Sequence, residues 1–186
     1  IDRSRGLGDV YKRQIQDYVE GLPDNFSELD AKSRHRILTT IKGNVPADIF
    51  ESTITKETLG SIRAMRKIQE QNGEKGCNRY IISNCQTIDN LLEIFALHKI
   101  CDWDNPTVDI IPLFETIPDL EVCQEIMETL YNNKEYRKHL ISRGDKQTVM
   151  LGFSDGTKDG GYFMANWSIY KAVSYTHLRA HETDRY

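Results

Sequence analysis

Between Cys77 and Ala172 the chain alternates three times between a short apolar run and a helical pattern. Arg79-Tyr80-Ile81-Ile82-Ser83 is β-branched and aromatic, which predicts a strand. Thr87 then opens the helical pattern IDNLLEIFALHKI. Thr107 to Phe114, TVDIIPLF, predicts a second strand with Pro112 near its end, and Asp119 opens the helix LEVCQEIMETLY. A further helical piece covers Lys134 to Ile141. Gln147 to Phe153, QTVMLGF, predicts a third strand, and Asp159 begins the last helix, GGYFMANWSIYKA. Strand and helix in strict alternation is the pattern of βα units on a parallel sheet. The nearly continuous apolar strands fit a sheet covered on both faces. The fold class is therefore α/β. The pattern alone fits part of an eightfold barrel and part of an open doubly wound sheet equally well.

Residues 15–76 predict a helical lead-in. Asp30 stands as an N-cap before AKSRHRILTTIK, and Pro46 interrupts the pattern. Thr55 can cap a second helix whose Leu59, Ile62, Met65 and Ile68 fall three apart, on one face. Asn72-Gly73 is its stop signal. Residues 77–172 hold the βα units. Residues 1–14 and 173–186 carry no helix or strand period and resemble translated sequencing-adapter read-through, so they are expected to be non-native tails. The spacing of His177, His181 and Glu182 in HLRAHE, a possible metal cluster, is then accidental.

Composition excludes several classes of function. At 39% hydrophobic and 28% charged residues the chain is globular, not disordered. A formal charge of -4 offers no footprint for nucleic acid. No apolar run approaches the ~20 residues that cross a membrane. Cys77, Cys85, Cys101 and Cys123 lack metal-finger spacing, and reduced thiols in a cytoplasm are the simpler reading.

In either α/β architecture ligands bind at the carboxyl ends of the strands. Two such ends carry an acid here: Glu115 follows VDIIPLF, and Asp155 follows VMLGFS. Parallel strands would place both on one rim. Two carboxylates plus water and a substrate oxygen suit magnesium, which rarely takes an all-protein cage. Lys158 and Asp159 lie one short turn on, at a helix N-terminus, an end that favours anions. Asp159 is better read as a helix cap. His98 reads as a C-terminal helix charge or a packed side chain, and His35 and His139 as solvated. Trp103 and Trp167 read as packing residues. Two motif alternatives fail. Ser154-Asp155-Gly156-Thr157 lacks the first Asp of a DxDGT phosphatase box, because Phe153 stands there, and GTKDGG lacks the spacing of a phosphate-binding P-loop.

The run MLGFSDGTKDGGYFMANWSIYKA resembles the phosphoenolpyruvate carboxylase family. The family core there reads Gly, Tyr or Phe, Ser-Asp-Ser, any residue, Lys-Asp, Ala or Gly, Gly, followed by a helix with an aromatic residue. IIPLFETIPDLEVCQEIMETLY resembles the family's Pro-Leu-Phe-Glu-Thr segment. RYIISNCQTIDNLLEIFALHKI and LPDNFSELDAKSRHRIL resemble the segments before it. The resemblance covers Ile15 to Ala172, and Gly156-Thr157 departs from it.

This resemblance implies a partial (β/α)8 TIM barrel of about three units, with Glu115 and Asp155 as ligands of Mg²⁺ or Mn²⁺. Lys158, the catalytic candidate, would add positive charge near the phosphate or bicarbonate. The implied reaction joins phosphoenolpyruvate and bicarbonate to give oxaloacetate and phosphate, through carboxyphosphate and an enolate. The family's catalytic histidine lies upstream and its glycine-rich basic loop downstream, so this piece alone is expected to be inactive. The parent is expected to be a cytoplasmic homotetramer. The alternative is a non-catalytic αβ interaction module in which Glu115 and Asp155 are surface acids.

Overall fold

A computed structural model describes residues 15–182, with the side chains of Gln16 and of residues 175–182 outside the described set. The expectation that residues 1–14 are foreign therefore lies outside the described residues. So do the side chains of His177, His181 and Glu182.

The lead-in is less helical than its pattern predicts. Two short strands, β1 (Val19–Glu20) and β2 (Lys42–Gly43), pair antiparallel around helix α1 (Ala31–Thr40). Asp30 caps α1 as expected, its carboxylate accepting from Ser33 N at 3.0 Å. Helix α2 (Thr53–Asn72) starts earlier than predicted. Its cap is Ser52, whose hydroxyl accepts from Thr55 N, so Thr55 is the donor and not the cap. Gly73 ends α2 at φ 84°, a conformation that glycine adopts without strain.

Strands β3 (Arg79–Ile82), β4 (Asp109–Phe114) and β5 (Met150–Leu151) form one parallel sheet in chain order. Helix α3 (Ile88–Lys99) links β3 to β4. Helices α4 (Ile117–Asn132) and α5 (Lys134–Ser142) link β4 to β5. Helix α6 (Ser154–Glu182) follows. Ile110 and Phe114 of the central strand sit in one contiguous core with Leu91, Leu92 and Phe95 of α3 and Met127 and Leu130 of α4. Ile81 and Met150 point to the opposite side of the sheet, alternating with the core set, and remain 50% and 38% exposed.

Three boundaries differ from the pattern. The β5 run predicted over 147–153 shortens to two residues, because the Gln147 side-chain amide donates to Ile110 O at 2.8 Å and takes a carbonyl that a longer ladder would use. The cap of α4 is Thr116, with Asp119 closing a reciprocal capping box from the third helical position. Helix α6 begins at Ser154, ahead of Asp159, and is broken at Gly161 (φ 78°, ψ 167°). It continues unbroken in backbone through residue 173, the expected start of the C-terminal tail.

Histidines and tryptophans also correct the sequence reading. His35 is not solvated: its Nε2 lies 2.7 Å from Asp89 Oδ1, tying α1 to α3. His139 is buried against Phe95 and Tyr136. His98 is fully buried between Tyr80 and Trp103, its Nδ1 2.8 Å from Ile94 O, and burial lowers its pKa, so it is a packed neutral side chain. Trp103 packs as expected, but Trp167 is 54% exposed, stacked on Tyr170.

Candidate metal centre

The ladder between β4 and β5 fixes the geometry of the candidate site. Phe114 stands opposite Leu151, and Gly152 N then donates to Phe114 O at 2.7 Å. Glu115 is the next residue after β4. Asp155 is the second residue of α6, four residues past the end of β5. Both acids therefore lie just beyond the carboxyl ends of two adjacent parallel strands, the position where α/β sheets bind ligands.

The backbone around Glu115 is held firmly. Asp119, only 2% exposed, accepts from Glu115 N at 3.3 Å and from Thr116 N at 3.0 Å through Oδ2. Thr116 Oγ1 accepts in return from Asp119 N at 3.3 Å. Pro118, inside the first turn, cannot donate and is suited to that place. Among the described residues the Glu115 carboxylate makes no hydrogen bond or ion pair. Asp155 is about half exposed, and Lys158 Nζ lies 3.1 Å from its Oδ1. An exposed pair of this kind is worth well under about 1 kcal/mol, so a competing cation can displace it. Lys158 is 78% exposed and has no other hydrogen-bond or ion-pair partner among the described residues.

The donor set has a definite chemical character. Among the described residues no three His, Cys, Asp and Glu side chains gather as a metal cage. Two carboxylates with no His or Cys beside them are unlike a zinc site, which takes three or four protein ligands and draws chiefly on His and Cys. They suit a hard divalent cation that keeps most of its water.

Asp159 departs from its predicted role. It does not cap its own helix, which begins five residues earlier. Its Oδ2 accepts instead from Ile117 N at 3.0 Å, capping the neighbouring helix α4. Neither this bond nor the Asp119 bonds to Glu115 could be read from local pattern. The only local signal was an acid three residues after Thr116, the spacing of a capping box.

Taken together, a parallel sheet built in chain order, with helices between its strands and two acids just past its carboxyl ends, defines an α/β protein. The sequence model of the phosphoenolpyruvate carboxylase family matches residues 7–183, a span that enters both terminal stretches. The phosphoenolpyruvate carboxylase of Nitrosomonas europaea is 42% identical over 177 residues, 89% of this chain and 18% of that protein. That of Gloeobacter violaceus is 34% identical over 156 residues, 79% of this chain and 17% of that protein. That of Corynebacterium diphtheriae is 42% identical over 125 residues. The chain belongs to the phosphoenolpyruvate carboxylase family. It spans about a sixth of the length of the curated relatives it matches. Among the described residues no helix is long and apolar enough to cross a membrane.

Proposed function

We propose that this chain supplies the metal-binding rim of a carboxy-lyase that joins phosphoenolpyruvate and bicarbonate to give oxaloacetate and phosphate. The observation that carries this reading is the pair Glu115 and Asp155, just past adjacent parallel strands and inside the family-matched region. These two carboxylates would hold Mg²⁺ or Mn²⁺ and leave the remaining positions to water and substrate. When bound, the ion supplies positive charge that stabilises negative charge developing on substrate oxygens. Ligation by Asp155 would release Lys158 from its ion pair. The freed ammonium, a compact charge on a flexible stem, can then attract the phosphate or bicarbonate anion.

The sheet is read as part of a (β/α)8 barrel. Support comes from the chain-order strands and from the half-exposed Ile81 and Met150, whose face would be filled by further strands of the closed barrel. Strands β3 and β5 would be edges in this piece and interior strands in the parent. The piece alone is read as inactive, because it has the metal rim but not the full set of positive groups that phosphoryl transfer to bicarbonate demands. The parent is read as a cytoplasmic homotetramer.

Asp155→Asn in the full-length enzyme tests the reading. The substitution weakens ligation and keeps the shape. Turnover at saturating Mg²⁺ should fall about 100-fold or more, the scale on which loss of one charge-stabilising group is felt. Near wild-type turnover would remove Asp155 from the site.

A further inference from the structure

The two connections that carry Glu115 and Asp155 meet across glycine. A Cβ at Gly152 would lie 3.0 Å from Glu115 Cα, one at Gly156 would lie 3.3 Å from Glu115 O, and one at Gly160 would lie 2.8 Å from Ile117 Cγ1. The glycines fall every fourth residue, and the last two sit on one face of the first turns of α6. A side chain at Gly152 or Gly156 would crowd the Glu115 backbone, and one at Gly160 would displace the Ile117 side chain. At the same seam Asp159 Oδ2 accepts from Ile117 N at 3.0 Å, across 42 positions of chain. Ile117 is the first residue of α4, so its N–H has no partner within the helix. A carboxylate at that end also meets the positive pole of the helix. Asp119 holds Glu115 N and Thr116 N from inside α4, and Asp159 holds Ile117 N from outside it. Three successive backbone amides after β4 are thus pinned, the last of them by the first turns of α6, which also bear Asp155.

We propose that Asp159 is a positioning residue: it clamps the Glu115 connection onto the Asp155 connection, so that the two carboxylates are presented together to one ion that Asp159 does not touch. This rests on the metal-site reading above. Two ligands 40 residues apart in sequence bind well only if their supports cannot drift, and groups behind the ligands commonly govern affinity by 10–100-fold, on the order measured for other metal sites.

The test is Mn²⁺ binding, read from the electron paramagnetic resonance signal of free Mn²⁺ during titration. It is run on the 186-residue chain and on the full-length enzyme carrying this segment. Asp159→Ala removes the acceptor, and Asp159→Asn keeps an oxygen that can accept from Ile117 N. Asp155→Asn reports on the ion site itself. The clamp predicts about tenfold weaker Mn²⁺ binding for Asp159→Ala and binding within about threefold of wild type for Asp159→Asn. A purely structural role would lower the melting temperature of Asp159→Ala and leave Mn²⁺ affinity unchanged. If Asp155→Asn weakens binding and Asp159→Ala does not, the clamp is overturned and the site stands. If neither weakens it, the site fails and the clamp with it. Equal losses in Asp159→Asn and Asp159→Ala would also overturn the clamp, because the charge and not the hydrogen bond would then be at work. Should Asp159→Ala fail to fold, Gly160→Ala decides. It pries the same seam apart at Ile117, and unchanged Mn²⁺ affinity in that variant overturns the proposal.

Discussion

Replacing Glu93 by Gln should make the chain more acid-sensitive between pH 7 and 5 than the wild type. In the wild type half-buried Glu93 and buried His139 titrate in opposed directions and partly offset each other. Burial pushes the Glu93 carboxyl of α3 up from an ordinary 4.5 to about 7, Asp89 adds to the rise, and Arg34 opposes it. Burial pulls the His139 imidazole of α5 down from 6.5 to about 4, helped by Arg143. On acidification from pH 7 to 5, folded Glu93 takes up a proton that the unfolded chain does not yet hold. Linkage makes that a gain of about 2 kcal/mol in stability. Over the same interval unfolded His139 takes up a proton that the folded state refuses, a loss of about 2 kcal/mol. Buried His98, also pulled down, adds to the loss. Glu93→Gln deletes the gain and keeps the shape. Urea unfolding at pH 7, 6 and 5 should then show stability falling by about 2 kcal/mol or more toward pH 5 in the variant. It should also be higher than wild type at pH 7, where part of the Glu93 population is charged in a dry place. Parallel pH profiles for variant and wild type would refute the assignment of Glu93 as a half-buried, protonating group.

Two further expectations concern the ends of β4. Asp119→Ala removes the acceptor for Glu115 N and Thr116 N and should destabilise the chain by about 1–3 kcal/mol, with faster amide exchange at those two positions than at mid-helix α4. Unchanged exchange there would show that the capping box does not hold Glu115. Arg143→Met leaves Asp109 and Glu74 without their shared cation and should cost about 1–3 kcal/mol in urea unfolding, with little change in Mn²⁺ binding.

The sheet was legible because its signals are local. Apolar runs of strand length at 79–83 and 107–114, and the stops and caps at Asp30, Gly73 and Thr87, act within a few residues of themselves. The misplaced boundaries all involve a polar side chain whose partner was ambiguous or remote. Ser52 and Thr55 are both good caps, and only the chain path decides that one accepts from the other's amide. Thr116 and Asp119 cap reciprocally, so either alone looks sufficient. Gln147 was counted into a strand, but its side chain serves the neighbouring strand's carbonyl. His35 and His139 lie among charged residues in sequence. Their burial comes from α3, to which both turn, and no periodicity within α1 or α5 reports that contact. The two rim acids were legible by their place after the strands. The bond from Asp159 to Ile117 was not, because it exists only once the N-terminal ends of two helices, 42 residues apart in sequence, are brought together.

The two rims of the sheet treat charge in opposite ways, and the contrast supports the site assignment. At the amino end of β4, Arg143 is only 10% exposed in its side chain and bonds Asp109 at 2.8 Å while also pairing with Glu74. Arg143 thus has two fixed carboxylate partners, which is what a largely buried cation requires to be tolerated. At the carboxyl end the acids divide into two kinds. Asp119 and Asp159 are spent on backbone amides and hold the connections in place. Glu115 and Asp155 are not spent on the fold, for the one makes no hydrogen bond or ion pair among the described residues and the other has only an exposed lysine. Acids that stabilise a fold are expected to be satisfied within it. Acids that await a cation must be held by their backbones and left open at their carboxylates, and that is the condition of Glu115, with Asp155 tied only to a displaceable lysine.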